Sequence, residues 1–174
     1  MSVQDLTQLK TQVERAVAEA KITDIHTHLF TPAFGDLLLW GFDELVNYHY
    51  LVAETLRVAD ISYEKFWALS GEQRANLIWQ TLFIDNSPYS EACRGVLTVL
   101  DKLGLDVAGR DVTSYRKYFR SLTVQEYIDK AFAVAKIDSV VMTNDPFDAQ
   151  EHKVWIQGFE SDPRFKAALR LDPL

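Results

Sequence analysis

The sequence predicts an α/β protein built on a parallel sheet, with a long helical excursion after the first strand. Three observations carry this expectation. Short apolar runs at 21–30, 137–143 and 164–174 have strand length and lie between patterns of helical period. Strands separated by helices are joined by crossovers, which makes the sheet parallel. The chain also stops just after its third strand, although a parallel sheet normally has helices on both faces. A closed eight-stranded barrel takes about 250 residues; the 174 residues with three strands therefore read as one domain that is the N-terminal part of something larger.

Each element has a local reason. "MSVQDLTQLKTQVERAVAEA" is an amphipathic helix: Val3, Leu6, Leu9, Val13, Ala16 and Ala20 form a stripe, and Ser2 with Asp5 has capping-box spacing. It lacks the basic start and apolar stretch of a signal peptide. "KITDIHTHLF" is a short buried strand broken by Thr31-Pro32, and "TPAFGDLLLWGF" is an apolar loop punctuated by Gly35 and Gly41. A helix is expected over 43–59, with acidic residues in its first turn. "SYEKFWAL", "GEQRANLIWQTLF" and "YSEACRGVLTVLDKLG" are further helical pieces, divided by Asn86-Ser87-Pro88 and ended by Gly104. "DVTSYRKYFRSL" fits no single period. Thr123 and Glu126 cap the helix "TVQEYIDKAFAVAK". Then follow the strand "IDSVVMT", the turn "NDP", a helix within "PFDAQEHKVWIQGFESDP" and the last strand "RFKAALRLDPL". The helical insertion thus occupies about 43–121.

Composition excludes several functions. A net charge of −7 supplies no basic field for nucleic acid or an anionic membrane. No run reaches the ~18 apolar residues of a membrane span. The lone cysteine, Cys93, excludes an internal disulfide framework, suits a reducing cytoplasm, and reads as a small buried hydrophobe rather than a nucleophile.

His26 and His28 stand out because half of the four histidines fall within one strand. Residues i and i+2 of a strand share a face, which puts Asp24, His26 and His28 together and Ile25, Thr27 and Leu29 opposite. Burying two imidazoles side by side is costly unless each has a partner. A divalent metal, reached at about 2.0–2.1 Å, would supply one. The alternative is one hydrogen-bonded core histidine and one solvated one.

"DIHTHLF" resembles the first-strand signature of the amidohydrolase superfamily, which implies a metal-dependent (β/α)8 barrel. Further along, "NYHYLVAETLR" is similar to the segment following that strand in uronate (glucuronate) isomerases, with His49 and Tyr50 matching its His-Tyr. Asn47 and Tyr48 depart from the family's preceding Asp, and Ala53 and Glu54 replace its basic residues. "SYEKFWAL", "VVMTNDPFDAQEH" and "ALRLDPL" resemble later landmarks in the same order, with Asp145, Pro146, Arg170 and Asp172 in register.

The resemblance implies a partial (β/α)8 barrel and the isomerisation of a hexuronate, D-glucuronate or D-galacturonate, to its keto form. It implies a divalent metal, zinc by preference, on His26 and His28; proton transfer by His49 or Tyr50; and Arg170 as clamp for the substrate carboxylate. The partner is then a small anionic sugar acid, with homo-oligomerisation left open. Bland readings stand beside these. By pattern His49 shares a helical stripe with Leu45, Val52 and Leu56, the place of a packed histidine, and Tyr50 would be an interface aromatic. Asp145 and Asp172 suit turns, Arg170 an edge strand, His152 a solvated helix face, and Trp40, Trp67, Trp79 and Trp155 core or interface positions. A hydrolase or decarboxylase of the same superfamily, or a non-catalytic fragment, are the other functions this sequence allows.

Overall fold

The computed structural model describes residues 6–38, 40–145, 147–160 and 162–169. The chain divides into two compact units, one of residues 1–33 with 135–174 and the other of 34–134. The first carries the sheet and the second is all helical among the described residues. No described helix is long and apolar enough to cross a membrane.

In the first unit, α1 (Leu6–Glu19) leads into β1 (Ile22–Thr27). The chain returns as β2 (Ile137–Asn144), α9 (Ala149–Gln157) and β3 (Phe165–Leu169). The strands lie side by side in sequence order, all parallel, as the alternation of strands and helices requires. Val140 pairs with Phe165 and Asn144 with Leu169 without a slip. β1 is less regular: Asp24 pairs with Val140 but Thr27 with Met142, three steps against two, which is a bulge.

One face of the sheet is buried, by Thr27, Val140, Met142, Asn144 and Phe165. β1 itself is not the buried strand expected from its apolar run. Ile25 is 74% exposed and both His26 and His28 are exposed. The reason is position: β1 is an edge of the described sheet, hydrogen-bonded to β2 alone. α1 forms where its stripe predicts, yet none of its residues is buried, and Leu6 and Val17 lie open at 81% and 71% exposure. Its Ser2–Asp5 cap falls outside the described residues.

The second unit contains α2 (Phe42–Val46), α3 (His49–Val58), α4 (Tyr63–Ala68), α5 (Gly71–Trp79), α6 (Glu91–Lys102), α7 (Val112–Arg120) and α8 (Val124–Ala135, whose last residue falls in the first unit). The single helix expected over 43–59 is two. Asn47 breaks it, because its side-chain amide donates to the carbonyls of Asp43 and Gly71 at 2.8 Å each. The ambiguous "DVTSYRKYFRSL" is helical, opened by Asp111, whose carboxylate accepts from the Thr113 amide. Ser70 and Gln73 form a full capping box on α5, and Ser90 caps α6.

The core of this unit is aromatic. Trp79 stacks on Phe83 with ring centroids 4.2 Å apart, and Phe42 and Tyr115 close on Trp79 edge-on at 5.3 and 5.5 Å. Phe66, Ile78, Leu100 and Cys93 fill the space around them. Arg116 joins three helices from the polar side. It makes a paired hydrogen bond to the Asp43 carboxylate at 2.7–2.9 Å and another to Asn76 Oδ1 at 2.8 Å, and lies over the Phe42 ring. With only 13% of its side chain exposed, the guanidinium needs these acceptors to offset its desolvation.

Cys93 is 2% exposed, as its apolar setting suggested. Burial pushes its thiol up; the Ser90 hydroxyl opposes this, and the Glu54 carboxylate adds to it by charge. Reaction with iodoacetamide in the folded protein should therefore be slow, and its rate should rise with pH above the range of a free cysteine. Unfolding in urea should restore the ordinary thiol profile. A native profile equal to the unfolded one would show that Cys93 is accessible.

Candidate functional site

A parallel sheet brings the C-terminal ends of its strands to one edge, and the chain's distinctive polar residues collect there. At the end of β1, the Asp24 carboxylate accepts from the His26 amide at 3.0 Å, and Thr27 Oγ1 accepts from the Leu29 amide at 3.0 Å. The Thr143 hydroxyl donates to the Thr27 carbonyl at 3.3 Å. These bonds fix the backbone on both sides of His28. The His26 and His28 rings meet at right angles with centroids 5.8 Å apart.

The structure thus brings the two histidines together, while among the described residues Asp24 does not complete a three-group cluster with them. The bulge between Asp24 and Thr27 breaks the alternation that would have aligned all three, and Asp24 is turned onto backbone. The two imidazoles suit a divalent metal in donor type and in spacing. Among the described residues, though, no third His, Cys, Asp or Glu joins them in a group. They supply two of the roughly four donors that zinc takes.

The main feature at the end of β2 has no signal in the sequence. Glu151, 8% exposed, accepts through Oε2 from the Asn144 side-chain amide and from the Asp145 backbone amide, both at 3.0 Å. Asn144 is 2% exposed, and its Oδ1 has no partner among the described residues. Asp145 accepts from the Phe147 amide at 3.0 Å, which is the turn role its "NDP" setting suggested. Asp148 caps α9 by accepting from the Gln150 and Glu151 amides. His152 is exposed on the same helix. In sequence Glu151 is one more acid in "AQEHKVW", and only its distance from Asn144 through the turn makes it special.

The other pair lies in the helical unit. Asn47 ends α2 just before His49, so His49 opens α3 instead of sitting in the middle of a packed stripe, and it is exposed. Tyr48, His49 and Tyr50 cluster, with centroids 4.2 Å from His49 to each tyrosine. Tyr48 is pushed up by burial and, secondarily, by Tyr50. Tyr50, 58% exposed, borders a cavity of about 360 Å³ together with Glu54, Glu91 and Ala92. Glu54 is held there by the Ser90 hydroxyl at 2.7 Å. These carboxylates make the wall of the cavity acidic. Arg170 and Asp172 lie outside the described residues.

No protein family profile matches the chain, and no curated protein matches it. Among solved structures it is similar to a uronate isomerase from Bacillus halodurans C-125, with 53% sequence identity over 99% of this chain and a TM-score of 0.92. The chain spans about 41% of that protein's length.

Removing the Glu151 acceptor should strand the buried Asn144 amide, at about 1–3 kcal/mol, and the half-buried Asp145 N–H at less. Glu151→Met keeps the volume without the acceptor and should lower stability to urea by about 2 kcal/mol or more. Glu151→Gln keeps one acceptor and should cost under about 1 kcal/mol. Equal losses in the two variants would show that packing, not the hydrogen bonds, gives Glu151 its weight.

Proposed function

Because this chain belongs to the uronate isomerase family, we propose that it is the portion of a hexuronate isomerase that carries the first strands of a (β/α)8 barrel. The observation behind this is the 53% identity running through nearly the whole chain, His26, His28, His49 and Tyr50 included in the resembling segments. The reaction is the interconversion of an aldose acid such as D-glucuronate with its ketose. A proton leaves C2 and returns to C1 through an enediol, while a second passes from the O2 hydroxyl to the carbonyl oxygen at C1.

Three tasks follow, and the chain offers side chains for each. The substrate must be held by its carboxylate, which suits the paired hydrogen bonds of Arg170. The carbon-bound proton must be taken and returned by a group that titrates near neutrality, and an imidazole does so. His49 is then the proton carrier, and Tyr50, beside the cavity that Glu54 and Glu91 line, is the hydrogen-bond donor to the developing oxyanion. His26 and His28 would hold a divalent metal, zinc by ligand chemistry, which when bound supplies a Lewis acid for a substrate oxygen.

Turnover of D-glucuronate and D-galacturonate tests the reading. In the enzyme that contains this chain, His49→Ala should lower kcat by roughly 10²–10⁴-fold, the usual worth of acid–base catalysis. Tyr50→Phe should lower kcat less and leave KM nearly unchanged. A His49→Ala enzyme with undiminished turnover would remove the imidazole from the mechanism. Metal binding can be read without activity, from the visible spectrum of bound Co²⁺. Either His26→Ala or His28→Ala should weaken that binding by at least about tenfold, and unchanged binding would place the metal elsewhere.

A further inference from the structure

The helical unit has a second charged cavity, distinct from the one beside Tyr50. Thr113, Arg116, Lys117 and Arg120 follow one another on α7 at the spacing of a single helix face. Together with Ser121 and with Glu72 of α5 they line a cavity of about 510 Å³. Arg116 is held by Asp43 and Asn76 through Nε and Nη2. Its Nη1 approaches only the Glu72 carboxylate, at a long 3.6 Å, and that glutamate is mostly exposed. Among the described residues, neither the Lys117 ammonium nor the Arg120 guanidinium has a hydrogen-bond or ion-pair partner. The negative end of the α7 dipole accounts for basic residues in its last turn. It does not account for a preorganised guanidinium facing the same space, nor for two hydroxyl side chains beside it.

We propose that this cavity binds the phosphate group of a small molecule. Three cations on one face suit a dianion better than the single charge of a carboxylate. The held Arg116 offers the N–H donors of its Nη1, Lys117 and Arg120 add charge, and Thr113 can donate its hydroxyl. The volume exceeds that of a bare phosphate, which leaves room for an organic substituent. In a chain of net charge −7 such a site must be local, and here it is confined to one helix face. Glu72 acts as its counter-ion when empty and is displaced when phosphate enters.

Calorimetric titration of the 174-residue chain tests this, at constant ionic strength, with inorganic phosphate, a hexose phosphate and D-glucuronate as probes. Saturable phosphate binding at one site is expected, with D-glucuronate weaker. A tighter hexose phosphate would identify an organic phosphate as the ligand, and equal affinities would identify phosphate itself. The double variant Lys117→Ala/Arg120→Ala removes two exposed side chains, should fold as the parent by circular dichroism, and should bind phosphate roughly tenfold more weakly. Glu72→Gln should bind it severalfold more tightly. Absence of saturable phosphate binding overturns the proposal. So does D-glucuronate binding as well as phosphate, or a double variant that binds like the parent.

Discussion

The parallel pairing of β1 with β2 is the constraint on which the other features depend. It joins Thr27 to Thr143, which are 116 positions apart. Parallel neighbours cannot be linked by a tight turn, so the chain must leave the sheet and return. Closing so long a connection is less prohibitive than its length suggests, since each doubling adds only about 0.6 kcal/mol. It still requires that the connection not remain a loose coil. The excursion answers with its own core, the Trp79–Phe83 stack enclosed by Phe42 and Tyr115, and with Arg116 tying α2, α5 and α7. A long connection that folds by itself carries its own side chains in fixed positions, and His49 and Tyr50 are among them.

Charge divides the labour among these side chains. Under the proposed function, a substrate acid would be drawn by particular cations, because this chain's net charge of −7 supplies no attractive field. The cavity beside Tyr50 cannot do this, since Glu54 and Glu91 line it. Under the proposed reading, that wall would suit the hydroxyl end of a sugar, whose donors a carboxylate accepts, and would leave the carboxylate end to an arginine elsewhere. Glu54, standing where the resembling segments carry a basic residue, makes that wall acidic.

Much of this was legible in the sequence. The parallel strands, the helix cap at Thr123, the burial of Cys93 and the nearness of His26 to His28 follow from local pattern, because local pattern is what fixes them. The errors have a common origin in contacts remote in sequence. β1 reads as buried because its residues are apolar, yet exposure depends on which strands flank it. The helix over 43–59 breaks because Asn47 finds the carbonyl of Gly71, 24 positions away. Asp24 leaves the histidine face because the pairing with β2 absorbs an extra residue. Glu151 could not be singled out at all, since only the fold buries it. Arg170, the proposed substrate clamp, lies outside the described residues.

The strand ends show how such remote contacts and local chemistry combine. Beyond the last ladder bond, backbone amides lose their partners and would leave the loops free to move. Here side chains take them over one by one: Asp24 for His26, Thr27 for Leu29, Asp145 for Phe147, Asp148 for Gln150, and Glu151 for Asp145. All but one act within two residues, so they form as soon as the turn does. Glu151 reaches across the turn from α9 and cannot act until the helix has docked. Local caps therefore shape each segment, and the buried carboxylate locks the end of β2 to the helix that follows. Catalysis gains from groups held in place before substrate arrives. In this chain four carboxylates and one hydroxyl supply that rigidity at the strand ends.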